Sequence, residues 1–356
     1  MFLLLGVFPA AGQTFDNARH IWQVFLQRDV DAGGADRLTF VDLVTGDETP
    51  ILVAGEHYTL LDQSVLYFDR VANRALLAEP DGSTHEHPFI QPSPDTRRVD
   101  WLVSPDKKMI AWTLTEGSSN ALTTITNMAQ IDGENARVAF TDGPRDSIRA
   151  LPVAFNADFT MLYMDFQPEG FSDFLPFPQY AGLFAVNVAD GSWSYLPDEP
   201  SCFCGAGFGS GLLLRLKLSD NLNAFDLHVY NLAGQVEQTI PAPPLANYTQ
   251  GGDVVISSDG KKAVYALAQV QNFGRPDQSV RTVFMLVDLG FMTQAAMTEP
   301  ITTYVEPLQW TEDDGAVIFT SRQQDGTWKI SLQDGQLARV ADATYLGNIS
   351  DATPIS

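Results

Sequence analysis

Few residues in this chain have the types and spacing that chemistry requires. His85-Glu-His87 comes first: side chains alternate along a strand, so the two imidazoles share one side. Two such ligands suit Zn²⁺ or Cu²⁺, but no third protein ligand is apparent. Both follow the Asp81-Gly82 turn, so they read as a solvated strand end and no metal site is expected. Cys202-Phe-Cys204 lacks the second pair that a soft tetrahedral metal site needs. Two residues apart, these cysteines would close a small ring if bridged, and they are read as two partly buried thiols. Gly207-Phe-Gly-Ser-Gly211 resembles a nucleophile elbow with the wrong spacing, and no phosphate-cradling Gly-x-x-x-x-Gly-Lys-Ser/Thr occurs. No catalytic residue and no cofactor is therefore expected, and a non-enzymatic role is the reading.

One acid recurs. Val254-Val-Ile-Ser-Ser-Asp-Gly-Lys-Lys-Ala-Val-Tyr265 is an apolar run, a tight polar turn and an alternating strand, which is a strong hairpin signal. Related stretches surround Asp106, Asp158 and Asp313, and a weaker one surrounds Asp62. Counting back from Asp259, the unit repeats about every 50 residues, a blade-like period. One period is skipped between Asp158 and Asp259, where Gly205-Ala-Gly-Phe-Gly-Ser-Gly211 replaces the acidic turn. Calcium needs several oxygens at one point. One Asp per distant turn does not supply them, so these acids read as turn chemistry, with carboxylates accepting nearby backbone N–H groups.

The elements that position these residues follow from the rest of the unit. A second hairpin completes each one, as at Pro80-Asp-Gly-Ser83, Ile131-Asp-Gly-Glu134 and Ala189-Asp-Gly-Ser192. Four antiparallel strands per unit make a propeller blade, whose two faces are buried only by stacking on neighbours. Seven units are expected, with six or eight as the alternatives. Ala343-Thr-Tyr-Leu-Gly-Asn-Ile-Ser350 has the character of an inner strand, and it is expected to close the first blade by pairing around Ile21–Phe25. The whole of 14–356 reads as one all-β propeller domain.

Val103-Ser-Pro-Asp-Lys-Lys-Met-Ile-Ala111 and Ile256-Ser-Ser-Asp-Gly-Lys-Lys-Ala-Val264 resemble the repeat of TolB-like β-propellers, in which Ser-Pro-Asp-Gly-Lys precedes an alternating strand. The residues at 156–158, 205–211 and 311–315 depart from it, and the Gly-His and Trp-Asp signatures of WD40 propellers are missing. The resemblance implies a propeller. It says little about activity, since the family includes both periplasmic scaffolds and peptidase caps.

The balance of 44 Asp+Glu against 21 Lys+Arg gives a net charge of −23. Such a surface repels phosphate backbones and anionic headgroups, so neither nucleic acid nor a membrane is an expected partner. Met1-Phe-Leu-Leu-Leu-Gly-Val-Phe-Pro-Ala-Ala-Gly-Gln13 resembles the end of a secretory signal without its basic n-region, or else a buried first strand. Export to the periplasm or the outside of a bacterial cell is the expectation, with the cytoplasm as the alternative. The insertion Gln167-Pro-Glu-Gly-Phe-Ser-Asp-Phe-Leu-Pro-Phe-Pro-Gln-Tyr180 breaks the fourth unit between its second and third strands. Phe171, Phe174, Phe177 and Tyr180 are candidates for a protein or peptide partner, unless the loop folds back to plug the channel. A scaffold or interaction module, alone or in a larger assembly, is the expected function. The alternative is a carbohydrate-binding or hydrolytic propeller with carboxylates at the channel mouth.

Overall fold

The computed structural model describes residues 20–350 apart from 32, 171–176, 220–223, 233–235, 244, 274 and 322–323. Residues 1–13, Phe171 and Phe174 therefore lie outside the described residues. The chain forms seven four-stranded antiparallel sheets. Their inner strands are, in ring order, Thr344–Ser350, Gly55–Leu60, Thr96–Val103, Ile148–Phe155, Ala206–Gly209, Gln250–Ile256 and Glu306–Trp310.

The ring closes as the C-terminal segment suggested. Thr344–Ser350 is the inner strand of blade 1 and pairs antiparallel with Ile21–Gln27, from Ile21↔Ser350 to Leu26↔Thr344 with a register shift between Val24 and Phe25. This removes the open sheet edge that a seam would leave. Ser350 N–H also donates to the Asp62 carbonyl of blade 2 at 2.8 Å, tying the closure to its neighbour.

Both faces of each blade are apolar because strand side chains alternate and both sides meet another blade. In the second strand of blade 6, Lys262–Gln271, Ala263, Tyr265 and Leu267 pack toward blade 5. Val264, Ala266 and Ala268 of the same strand pack toward blade 7. Indole N–H groups at these interfaces find acceptors on the neighbouring blade, as buried tryptophans require. Trp101 donates to Thr59 Oγ1 at 2.9 Å and Trp310 to the Val255 carbonyl at 3.1 Å. The interface of blades 4 and 5 holds the smallest apolar cluster: Leu183, Ala206, Leu213 and Tyr230, with half-buried Tyr180 and Phe208 beside them.

Candidate functional site

The turns between first and second strands share one construction. Asp106, Asp158, Asp259 and Asp313 each accept the N–H two residues on, at 3.2, 3.2, 2.9 and 3.0 Å. Each also accepts from the side chain two residues before: Ser104, Asn156, Ser257 or Thr311. That side chain in turn accepts the N–H five residues ahead. The residue after each acid, Lys107, Phe159, Gly260 or Asp314, has positive φ. The N–H of Lys261 and the Ser257 hydroxyl hold the Asp259 carboxyl down to about 2. The acids in these turns are thus committed to the backbone. Asp62 differs, since its contact is the carbonyl that receives Ser350. In blade 5, Ser210 and Gly211 both have positive φ in a two-residue hairpin joining Gly209 to Leu212, so no acid is needed there.

The central channel has a polar storey on the insertion-bearing face. Inner strands start there, so Arg149 and Gln250, at the beginnings of theirs, lie toward that face. Arg149 is 1% exposed and pairs with Asp100. Its guanidinium also reaches Gln167 Oε1 at 3.4 Å. Gln167 Nε2 donates to the Gln179 carbonyl at 2.9 Å, and Gln179 Nε2 to Gln250 Oε1 at 2.9 Å. This relay carries the insertion's returning chain from blade 4 across to blade 6. Phe177, 1% exposed, packs with the cluster of blades 6 and 7 and against Tyr304. Gly252 is what lets it in: a Cβ there would lie 2.5 Å from the Phe177 Cβ. Phe177 is therefore an internal anchor rather than an exposed contact residue. The described part of the insertion folds back over the channel.

A second buried cluster fixes Tyr180. Arg215, 1% exposed, pairs with Glu199 at 2.8 Å. Its guanidinium also donates to the carbonyls of Tyr180 at 2.8 Å and Cys202 at 3.0 Å, and to that of Cys204. Tyr180 and Cys204 form an isolated antiparallel bridge. Here the expectation of free thiols is corrected: Cys202 and Cys204 form a disulfide, with Cα atoms 5.4 Å apart. Side chains two apart share a side of an extended chain, and two strand steps span about 6.7 Å. The chain here is drawn in to within bridging range, with Phe203 turned outward. Asp165 lies nearby, fully buried, accepting the N–H groups of Ala181 and Gly182 at 3.1 and 2.8 Å. Burial pushes its carboxyl up to about 7 against those hydrogen bonds and the Arg215 charge.

On the opposite face the channel opens as an apolar cup of 550 Å³. Inner strands of blades 3 to 7 wall it, while Pro178 and Tyr180 of the insertion reach it from above. Phe155 and Phe159 meet edge to face at 5.7 Å, and Tyr163 stacks on Phe208 at 4.9 Å where the cup wedges between blades 4 and 5. The glycines of the degenerate fifth repeat set the opposite wall. Those at 205, 207 and 209 alternate to one side of the inner strand and face blade 6. A Cβ at Gly205 would lie 2.4 Å from the Gly252 Cα, and one at Gly207 2.2 Å from the Val254 carbonyl oxygen. Two inner strands thus touch backbone to backbone, and Ala206 and Phe208 turn toward blade 4.

Other candidates separate. His85 is exposed, with Glu79 at 3.7 Å. His87 is not a solvated strand residue: it is 1% exposed, and its Nδ1 accepts the Ile90 N–H at 3.1 Å. Burial holds it down to about 4, so it is a neutral acceptor capping the loop after its strand. Among the described residues no group of three or more His, Cys, Asp or Glu is placed to hold a metal ion, and no helix is long and apolar enough to cross a membrane. Sequence reasoning missed Asp165, Arg149, Arg215 and Glu199. The available signal was a lone charge inside an apolar strand, as in Met161-Leu-Tyr-Met-Asp165 and Leu212-Leu-Leu-Arg215.

No protein-family model matches the chain, and no curated protein matches it in sequence. Solved structures do match in fold. An oligogalacturonate lyase in complex with manganese is 12% identical, covering 90% of this chain and 84% of that one at a TM-score of 0.54. The hydrazine synthase of Kuenenia stuttgartiensis is 9% identical, covering 79% and 77% at 0.52. A putative TolB from Agrobacterium tumefaciens is 10% identical, covering 80% and 91% at 0.44. At these identities the first two likenesses speak to the fold alone. With its seven four-stranded antiparallel sheets, the chain has the architecture of a seven-bladed β-propeller, and two of its turns, at Asp106 and Asp259, are of the Ser-x-Asp kind.

Proposed function

We propose that this propeller is a non-enzymatic interaction module that receives an apolar segment of a partner protein in the channel cup. The observation that carries the reading is the cup itself: 550 Å³ walled by Phe155, Phe159, Tyr163 and Phe208, on the face opposite the insertion. Pockets of this size and lining suit apolar anchors. The burial of Phe177 moves the reading from the loop-bearing face to the cup. A hydrolytic propeller would draw on several carboxylates at the mouth, whereas the cup is lined by Asp106 and Asp253, and Asp106 is engaged in its turn.

Export to an oxidising compartment belongs to the same proposal. The Cys202–Cys204 disulfide supports it, because such bonds are reduced in the cytosol. So does the apolar stretch ending in Pro-Ala-Ala-Gly at 9–12. Alkylation of the protein taken from its native cells without reduction should leave both cysteines unlabelled. Labelling at both would place the protein in a reducing compartment.

The direct test is panning of a displayed peptide library on the wild type and on Ala154→Trp, which fills the cup. Apolar peptides enriched on the wild type should be lost on the filled protein, with its melting temperature preserved. Enrichment that survives Ala154→Trp but disappears in the double variant Phe171→Ala, Phe174→Ala would return binding to the loop-bearing face and refute the cup.

A further inference from the structure

The cup's charge is one-sided. Among its described lining residues are two carboxylates, Asp106 and Asp253, and no Lys, Arg or His. Two cations on the turn face, Lys107 and Lys108, are otherwise engaged. Lys107 Nζ donates to the Leu61 and Asn348 carbonyls at 3.1 and 3.2 Å. Lys108 Nζ sits 3.3 Å from Asp106, itself held by the Ser104 hydroxyl and the Lys108 N–H. Asp253 differs from Asp106 in being half-buried and inside the cup rather than on its rim. It sits in a bulge of the blade 6 inner strand, where the register shifts between Gly252 and Val255, and its φ is 53°. Non-glycine residues adopt that conformation at a cost, and Asp and Asn carry it most easily. Bulges recur beside binding sites, where they re-aim side chains. The walls add ring faces at Phe155, Phe159 and Phe208, which attract cations as well as apolar groups. The whole chain, at −23, reinforces the same sign.

We infer that the cup selects a segment in which an apolar side chain adjoins a cationic one, the apolar group filling the aromatic wedge and the Lys or Arg head facing Asp253; this rests on the peptide-binding reading above. An anionic neighbour is rejected by the same carboxylates, which gives the site specificity by repulsion as well as attraction.

The probes are three capped peptides, acetyl-Phe-Lys-Leu-amide and its Gln and Glu counterparts, titrated against the full chain at low salt. The Lys peptide should bind about tenfold tighter than the Gln peptide, the Glu peptide weakest, the range expected for a close charge pair. In Asp253→Asn, which retains tolerance of positive φ, the preference of Lys over Gln should collapse. On the wild type alone, raising the salt should shrink the Lys preference and leave Gln binding in place. Equal binding of all three peptides overturns the charge selection and leaves the apolar cup standing. A full Lys preference in Asp253→Asn overturns the role given to Asp253. Failure of every peptide to bind, with Ala154→Trp indistinguishable from wild type, sinks the cup reading and the inference with it.

Discussion

Gly207→Ala should damage this protein, whereas Gly209→Ala, the same chemical change one pleat along the same strand, should not. Neither glycine has a positive φ, so backbone strain is equal and the difference lies in what the new methyl meets. At 207 it would lie 2.2 Å from the Val254 carbonyl oxygen and 2.8 Å from the Val254 Cβ. Backbone cannot rotate aside as a side chain can, so the inner strands of blades 5 and 6 must separate by about 1 Å in a close-packed interior. Overpacking costs about 1–3 kcal/mol, and a backbone obstacle puts this substitution near the upper end. At 209 the nearest atoms are Ile256 side-chain carbons at 3.4 Å, an ordinary contact. There the loss of glycine's unfolded-state freedom should contribute roughly 0.5 kcal/mol of stability. At about 2.1 cal/mol/K per residue, a chain of this length has an unfolding entropy near 0.75 kcal/mol/K. The gap of about 3.5 kcal/mol between the two variants then becomes about 5 °C in melting temperature. Scanning calorimetry of both variants beside the wild type is the assay. If Gly207→Ala melts with the wild type, or both variants fall together, the contact between inner strands is not what sets these glycines.

Three other perturbations test the buried network. Arg215→Met strands Glu199 in the interior and removes a donor to four carbonyls, those of Tyr180, Cys202, Cys204 and Gly205, so about 3–5 kcal/mol should be lost; Lys217→Met, whose partner Asp198 is exposed, should cost under about 1 kcal/mol in the same urea titration. Asp165 titrates near 7 in the fold and near 3.9 unfolded, so the native state holds a proton that the unfolded chain has released, and this residue's contribution falls as pH rises between those values. Asp165→Asn should remove that dependence, gaining up to about 4 kcal/mol over the wild type above pH 7 relative to pH 4. The difference between the two proteins is the readout, because buried His87 works the other way, adding stability as pH climbs from about 4 toward its unfolded value. A flat difference across that window would refute the burial of a protonated Asp165. The double variant Cys202→Ala, Cys204→Ala should lose no more than about 2 kcal/mol, since so short a loop restricts the unfolded chain little; loss of folding would show that the bridge organises the Tyr180 seam.

Much of this molecule follows from local rules that a sequence displays. The apolar run, the Ser-x-Asp turn and the alternating strand are each written within about a dozen residues, and stacking is then the remaining way to bury two apolar faces. The closing strand was readable for the same reason, since Thr344–Ser350 has the pattern of an inner strand. Other features depend on partners far along the chain. The alternation that placed His87 on a solvated edge failed because its strand stops at Glu86 and the imidazole caps the next loop. The cysteines were misjudged because their bridge needs a local contraction that spacing does not reveal. Gly205 and Gly207 looked like part of a decayed repeat, yet two inner strands in backbone contact demand them. Sequence by itself determined the blade, its turns and the number of repeats, because hydrogen-bonded hairpins and side-chain alternation are short-range. Only the tertiary structure decided that Phe177 is an anchor, that Arg149 and Arg215 are buried, and that Asp253 faces an apolar cup. Each of those depends on which blades the closed ring brings together across its channel, and that is set by all seven blades at once.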